Sequence, residues 1–347
     1  MASTLPNRNA LIRMAVTFAV CVFGVVVFRV LSLPLPFLLG PLFASLGVAL
    51  LGVRLGAWAP VTDTMRTILG VAVGASFTPA LIGQLPSMAL SLTLAPLFLL
   101  AAGVAGYPYL RRVCSFDRAT AFYAAMPGGL QDMLLFGEEA GGDARALSLL
   151  HATRVLLIVS IVPTILTLAY AVDLTQVPGQ PARDFTAAEL VVMAAAGLVG
   201  WRVAKRVGLF GASILGPMIL TAALSLMGFV HQRPPAEAIQ AAQFFIGMVV
   251  GVKYSGITLR EVRRFLVAGL GHGVLLTIIA AIFAEAVVLL GFAPQLDAIL
   301  AFSPGGQAEM ALMAIVAGAD VAYVVMHHVT RIVIVITCAP LVFRWLR

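Results

Sequence analysis

Apolar runs of about twenty residues, the length that crosses the hydrocarbon core of a bilayer, follow one another along this chain with only short polar interruptions. Six such units are read in each half. In the first half they lie at about 9–31, 34–53, 64–83, 87–110, 117–140 and 144–172. In the second they lie at about 186–204, 208–230, 238–256, 265–291, 294–317 and 320–345. No stretch is large or polar enough to form a separate soluble domain, so the pattern predicts an all-α integral membrane protein. The first unit resembles a signal peptide, because Arg8 and Arg13 flank an apolar run. It is longer than a typical signal core, lacks a small-x-small cleavage site and ends at Arg29, which predicts a retained first span.

The units repeat. Pro127-Gly128-Gly129-Leu130-Gln131-Asp132-Met133 returns 177 positions later as Pro304-Gly305-Gly306-Gln307-Ala308-Glu309-Met310. The register then holds without a gap: Asp143 matches Asp320, His151-Ala152-Thr153-Arg154 matches His328-Val329-Thr330-Arg331, and Pro163 matches Pro340. Earlier in each half, Gly40-Pro41 matches Gly216-Pro217, and Gly70 and Gly74 match Gly247 and Gly251. The last two pairs are GxxxG motifs, which permit close helix approach where lipid supplies no hydrophobic drive. The chain therefore reads as two membrane repeats, 1–172 and 185–347, joined by a linker over 173–184 that contains Pro178, Gly179 and Pro181.

Charge decides how the repeats face. In the first half, positive residues stand at Arg8 and Arg13, at Arg54 and Arg66, and at Arg111, Arg112 and Arg118. In the second they move to complementary loops: Arg202, Lys205 and Arg206, then Lys253 to Arg264, then Arg344 and Arg347. If all are cytoplasmic, the repeats are inverted and each crosses an odd number of times. One unit per half must then enter and leave on the same side. The Pro-Gly-Gly units are the natural candidates, since their arms are too short to span. The expectation is about ten transmembrane helices plus two re-entrant or broken Pro-Gly-Gly helices, with both termini cytoplasmic. The rival is twelve spans with two broken crossing helices.

Composition narrows the function. Of 347 residues, 61% are hydrophobic and 11% charged, against about 25% charged in soluble domains. The net charge of +7 is scattered between apolar segments, and no basic helix or aromatic-interleaved patch points to nucleic acid. Cys21, Cys114 and Cys338 lack metal-ligand spacing. The expected partners are the lipid bilayer and a small-molecule substrate, with a homo-oligomer compatible and no cofactor beyond proton or sodium coupling.

The intramembrane polar residues occur in pairs. Pro127-Gly128-Gly129 and Pro304-Gly305-Gly306 break a helix, and the helix that resumes presents free N–H groups and the positive end of its dipole. A simple kink is the bland alternative. Asp132 and Glu309 fall in the first turn or so of the resumed helices, as dipole-stabilised acids or as ion-coupling groups. Gln131 and Gln307 are candidate polar ligands or packing residues. Arg154 and Arg331 lie too deep to reach an interface and need a partner: either Asp132 or Glu309 in a salt bridge, or an anionic substrate. Thr153 and Thr330 offer hydroxyls, or bond the preceding turn. His151 and His328, with His327 nearby, read as hydrogen-bonding or proton-sensitive partners rather than metal ligands, because no metal-binding spacing is present. Asp143 and Asp320 read as helix caps.

The doubled Pro-Gly-Gly-x-x-acid-Met segment with its downstream His-x-Thr-Arg resembles the AbrB membrane-protein family over essentially the whole chain. Members carry labels naming a regulator of gene expression or an ammonia monooxygenase. The chain does not resemble the small DNA-binding AbrB transition-state regulators. The family is distantly similar to the inverted-repeat cation/proton antiporters and bile-acid symporters, which implies discontinuous helices near the membrane midplane. The leading expectation is a secondary transporter of a small, anionic metabolite in the inner (plasma) membrane. The alternatives are a membrane-bound sensor or regulator without net flux and, more weakly, a metal-dependent monooxygenase; no enzyme activity is expected.

Overall fold

The computed structural model describes residues 8–78, 85–175, 179–209, 211–256 and 259–345. All regular structure in these residues is helical. The first half contains α1 (Arg8–Val30), α2 (Pro36–Leu50), α3 (Ala59–Gly74), α4 (Leu85–Leu92), α5 (Leu94–Pro108), α6 (Arg118–Ala125), α7 (Leu130–Glu139) and α8 (Ala144–Tyr170). The second contains α9 (Ala187–Arg206), α10 (Ala212–Leu226), α11 (Ala236–Val252), α12 (Leu259–Leu289), α13 (Gln295–Phe302), α14 (Gln307–Ala317) and α15 (Val321–Trp345).

Six helical stretches among the described residues are long and apolar enough to cross a membrane: Arg8–Val30, Met88–Val113, Ala144–Tyr170, Ala187–Arg206, Arg263–Leu289 and Val321–Trp345. Shorter apolar helices, α2, α10, α11 and α14, accompany them. Large apolar side chains such as Phe23, Leu100, Val191 and Ile282 face outward along the long helices, a surface that only lipid can cover at low cost. The chain is a multi-pass membrane protein. Part of the expected unit at 64–83 falls at 79–84, outside the described residues.

The helices sort into two compact units that cut across the sequence repeats. One comprises Met1–Thr78 with Ala171–Leu259, the other Pro79–Tyr170 with Arg260–Arg347. Each takes its elements from both halves. The expected linker belongs to the first unit, where Leu35 N–H donates to Leu174 O at 3.2 Å and Ala236 N–H donates to Gln180 O at 2.9 Å.

Within the first unit, the glycines let helix backbones touch. The GxxxG of α3 packs on α10: a Cβ at Gly70 would strike Ile214 O, and one at Gly74 would meet Thr221 Cβ at 2.6 Å. The GxxxG of α11 packs on α2 in the same way, Gly247 against Leu38 O and Gly251 against Leu42 O. Each repeat thus inserts its GxxxG helix against the proline-containing helix of the other. Two further crossings were not legible as motifs: Gly24 of α1 meets Gly40 of α2, and Gly200 of α9 meets Gly216 of α10, backbone to backbone.

Candidate functional site

The site lies in the second unit, and two prolines create it. A residue before proline is pushed out of the helical region. Met126 (ψ 124°) and Ser303 (ψ 126°) are accordingly extended, and α6 and α13 stop one residue earlier. Gly129 and Gly306 are extended too, and the chain resumes as α7 and α14. Both Pro-Gly-Gly units are therefore broken helices with arms of 8 and 10 residues in one case and 8 and 11 in the other, each too short to span.

Two long helices hold the breaks. α8 and α15 are the most enclosed of the candidate spans, 56% buried over their most apolar stretch against 22% for α1. Each break touches the long helix of the other repeat: a Cβ at Gly128 would meet Val335 Cγ1 at 2.8 Å, and one at Gly305 would meet Ile158 Cγ2 at 3.1 Å. Val335 and Ile158 are themselves repeat equivalents, so the two breaks interlock with two-fold correspondence.

Arg154 and Arg331 are 2% and 4% exposed, and both donate to backbone carbonyls of the breaks. Arg331 donates to Ser303 O and Gly305 O, both at 3.0 Å. Arg154 donates to the equivalent Met126 O at 3.2 Å and Gly128 O at 3.4 Å. These carbonyls belong to the break, beyond the last turn of α6 and α13, where helix carbonyls lack intrahelical partners and the dipole is negative. The arginines clamp the breaks. The salt bridge to Asp132 or Glu309 that the sequence allowed is not formed; the ion pairs among the described residues are Arg66–Asp63, Arg145–Glu261 and Arg183–Asp184.

Asp132 and Glu309 each occupy the third position of the resumed helix and fold back over the glycine that precedes it. A Cβ at Gly129 would fall on Asp132 Oδ2, and one at Gly306 on Glu309 Oε2. The second glycine of each motif is thus needed to admit the carboxylate at the helix N-terminus, where the dipole stabilises it. Glu309 is buried, Asp132 half-buried. Gln307 begins α14, and its Nε2 is buried without a partner. The side chain of Gln131 is outside the described residues.

The histidine tautomers follow from their partners. Arg331 can only donate, so its 2.9 Å contact with His328 Nδ1 makes that nitrogen an acceptor. Nε2 then carries the proton and donates to Leu300 O at 3.0 Å. His327 Nδ1 donates to Tyr323 O at 2.9 Å, which leaves Nε2 to accept from the Ser91 hydroxyl at 3.0 Å. His151 is buried at the equivalent place in α8. Thr153 is fully buried against Gly269 of α12, and Thr330 is half-buried. Asp143 Oδ1 accepts from Ala146 N–H at 3.1 Å and Asp320 Oδ1 from Tyr323 N–H at 3.0 Å, at the starts of α8 and α15.

One residue that the sequence reading passed over also belongs here. His272 of α12 is 1% exposed, its Nε2 has no partner, and it packs on Gly106 of α5. The signal was available as a lone ionisable residue in an apolar run. It was hidden by falling outside the repeat, since the position 177 residues earlier is Ala95.

Known proteins match this chain over most of its length. The family model described as "Transition state regulatory protein AbrB" matches residues 37–347. The protein YhjN of Bacillus subtilis (strain 168) is 28% identical over 299 residues, covering 81% of this chain and 77% of its own length. The "Putative regulator AbrB" of Escherichia coli (strain K12) is 24% identical over 335 residues, covering 92% of both chains.

Proposed function

The chain belongs to the AbrB family, and we propose that it is a secondary transporter of a small anionic metabolite, coupled to protons or sodium by alternating access. One observation carries this reading. Three N–H donors around the breaks are buried without an acceptor: Arg154 Nε, Arg331 Nε and Gln307 Nε2. Each such group costs about 1–3 kcal/mol, and a clamp that serves only the fold has no reason to carry that cost three times. An anion with several oxygens would offer such donors the acceptors they lack, and two guanidiniums that form no salt bridge among the described residues supply the attraction. Discontinuous helices that present their N-termini to a substrate are the common device of secondary transporters.

Asp132 and Glu309 are the coupling groups in this proposal. Changing either to its amide keeps the shape and an acceptor oxygen over the glycine but removes the charge. Asp132→Asn and Glu309→Gln are expected to insert normally and to lower ion-coupled flux by about tenfold or more, equivalent to about 1.4 kcal/mol. Flux in proteoliposomes under imposed pH and sodium gradients is the measurement. Wild-type flux and ion dependence in both amide variants would make the carboxylates structural.

The proposed topology is inverted: ten crossings, two re-entrant hairpins and both termini on the cytoplasmic side of the inner membrane. The complementary charge placement supports it. Single-cysteine labelling should then place Arg54, Arg112, Lys205 and Lys253 on the cytoplasmic side, and Ser87 and Gln232 outside. Opposite sidedness for Lys205 and Arg112 would replace this topology with twelve spans.

The name of the Escherichia coli relative favours a second reading, a membrane sensor that binds an anion through the same residues without flux. Thermal-shift screening of anionic metabolites at several pH and sodium values identifies the ligand under either reading. Flux of that ligand separates them, because a sensor binds it and does not move it.

A further inference from the structure

A cavity lies away from the breaks, at the C-terminal ends of α7 and α15. It has a volume of about 170 Å³ and is lined by Tyr123, Phe136, Glu139, Pro340, Phe343 and Arg344, with Ala140 at its edge. Three of these residues present aromatic rings. Tyr123 and Phe343 lie 5.3 Å apart between centroids, and Tyr123 and Phe136 lie 6.4 Å apart. Two are opposite charges that face the same space. Neither Glu139 nor Arg344 takes part in any of the ion pairs among the described residues, so both charges remain available to a ligand.

The repeat shows that this chemistry is not inherited from the duplicated frame. The frame recurs: Ala140 matches Ala317 and Pro340 matches Pro163. The functional lining does not. Tyr123, Phe136 and Glu139 correspond to Leu300, Met313 and Val316, while Phe343 and Arg344 correspond to Leu166 and Thr167. Rings and both charges thus occur together at one end of the unit only. The equivalent positions carry no ring and no charge, so the aromatic and charged set is particular to this place.

We propose that this cavity binds a short zwitterion, a primary ammonium joined by two or three bonds to a carboxylate or phosphate. The ammonium lies between Glu139 and the rings of Tyr123 and Phe136, since aromatic rings attract cations within about 6 Å of their centres. The anionic end meets the Arg344 guanidinium in a bidentate contact. Two opposite charges in the wall, unpaired among the described residues, match the two charges of the ligand. The volume equals that of roughly six water molecules, enough for a small amino acid or for a phosphoethanolamine group. Arg118 stands over the Phe343 ring at 5.4 Å, so Phe343 is already engaged by a cation and the ammonium is left to Glu139, Tyr123 and Phe136. The site does not depend on the transport reading.

Two sources share this chemistry: a free amino acid or phosphoethanolamine in solution, and the headgroup of phosphatidylethanolamine in the membrane. Trp345, 91% exposed beside Arg344, suits an interfacial position where either could arrive. The test uses the full chain in detergent, titrated calorimetrically with O-phosphoethanolamine and, separately, with glycine. Saturable binding of at least one probe is expected, weakened by about tenfold in Glu139→Gln and again in Arg344→Gln. Both side chains are exposed, so these variants should fold as the wild type does, which a thermal melt checks. The same titration in nanodiscs identifies the source. Loss of probe binding with phosphatidylethanolamine, but not with phosphatidylglycerol, assigns the cavity to the headgroup, and equal binding in both assigns it to the soluble zwitterion. Absence of saturable binding by both probes in detergent and in phosphatidylglycerol nanodiscs, or binding that both variants retain unchanged, overturns the proposal.

Discussion

Arg331→Gln is expected to destabilise the protein by about 3 kcal/mol without ligand, and neutralising Glu309 or Asp132 in the same chain is expected to restore nothing. The substitution removes charged donors from Ser303 O and Gly305 O and from His328 Nδ1. Hydrogen bonds to charged groups contribute about 1.5–3 kcal/mol each, so the two carbonyl bonds amount to about 3–6 kcal/mol. Removing a buried guanidinium also relieves a desolvation penalty of several kcal/mol, which offsets part of that loss but leaves the carbonyls of the break unsatisfied. The balance stays unfavourable. Arg154 makes the equivalent bonds at 3.2 and 3.4 Å rather than 3.0 Å, so Arg154→Gln should cost less. Denaturation in detergent with and without the paired amide substitutions measures both points. Rescue by Glu309→Gln would show that an ion pair, and not the carbonyl clamp, holds the arginine. Under the transport reading the single variants also lose the stabilisation that an anionic ligand gives to the wild type.

Gly216→Ala and Gly40→Ala are expected to do more damage, about 4 kcal/mol or greater, although each adds one methyl group. Overpacking within a side-chain core costs about 1–3 kcal/mol because neighbours can turn aside. Here the neighbour is backbone. A Cβ at Gly216 would fall on Gly200 O, and one at Gly40 would lie 2.7 Å from Gly24 C. The helices must separate along their whole crossing, and lipid offers no hydrophobic force to hold them together once close packing is lost. Gly47 provides the control, since a Cβ there meets nothing within 4 Å. Gly47→Ala should leave stability unchanged or slightly raised, as alanine is the better helix former. Comparing folded yield and unfolding midpoint across the three variants tests the crossing directly. Equal behaviour at positions 40, 47 and 216 would mean that backbone contact is not what fixes these pairs.

Much of the site could be read from the chain. The breaks fall where Pro127 and Pro304 require them, because proline excludes the preceding residue from the helix whatever surrounds it. Asp143 and Asp320 cap α8 and α15 through bonds to residues three positions on, a local rule that sequence carries in full. The acid in the first turn and the glycine it covers lie three residues apart, so their association is also local. The GxxxG pairs announced close packing, but not which helix would receive them.

Partner choice is where sequence stopped. A buried arginine demands acceptors, and Asp132 and Glu309 were the visible candidates. The fold instead presented carbonyls 26 and 28 residues away, set free because the proline breaks end α6 and α13 early. Gly24 and Gly200 carry no motif, and they became contact points only when α1 docked on α2 and α9 on α10. His272 looked isolated until α12 brought it against Gly106. The separation of each repeat into two compact units was likewise invisible, since the helices of one half bury their faces against those of the other. Hydropathy, proline geometry and short-range caps act within a few residues of the chain, and by themselves they determined a duplicated, all-helical membrane protein with two broken helices. Which donor meets which acceptor, and which glycine meets which backbone, depends on how distant helices pack; only the tertiary structure decided it.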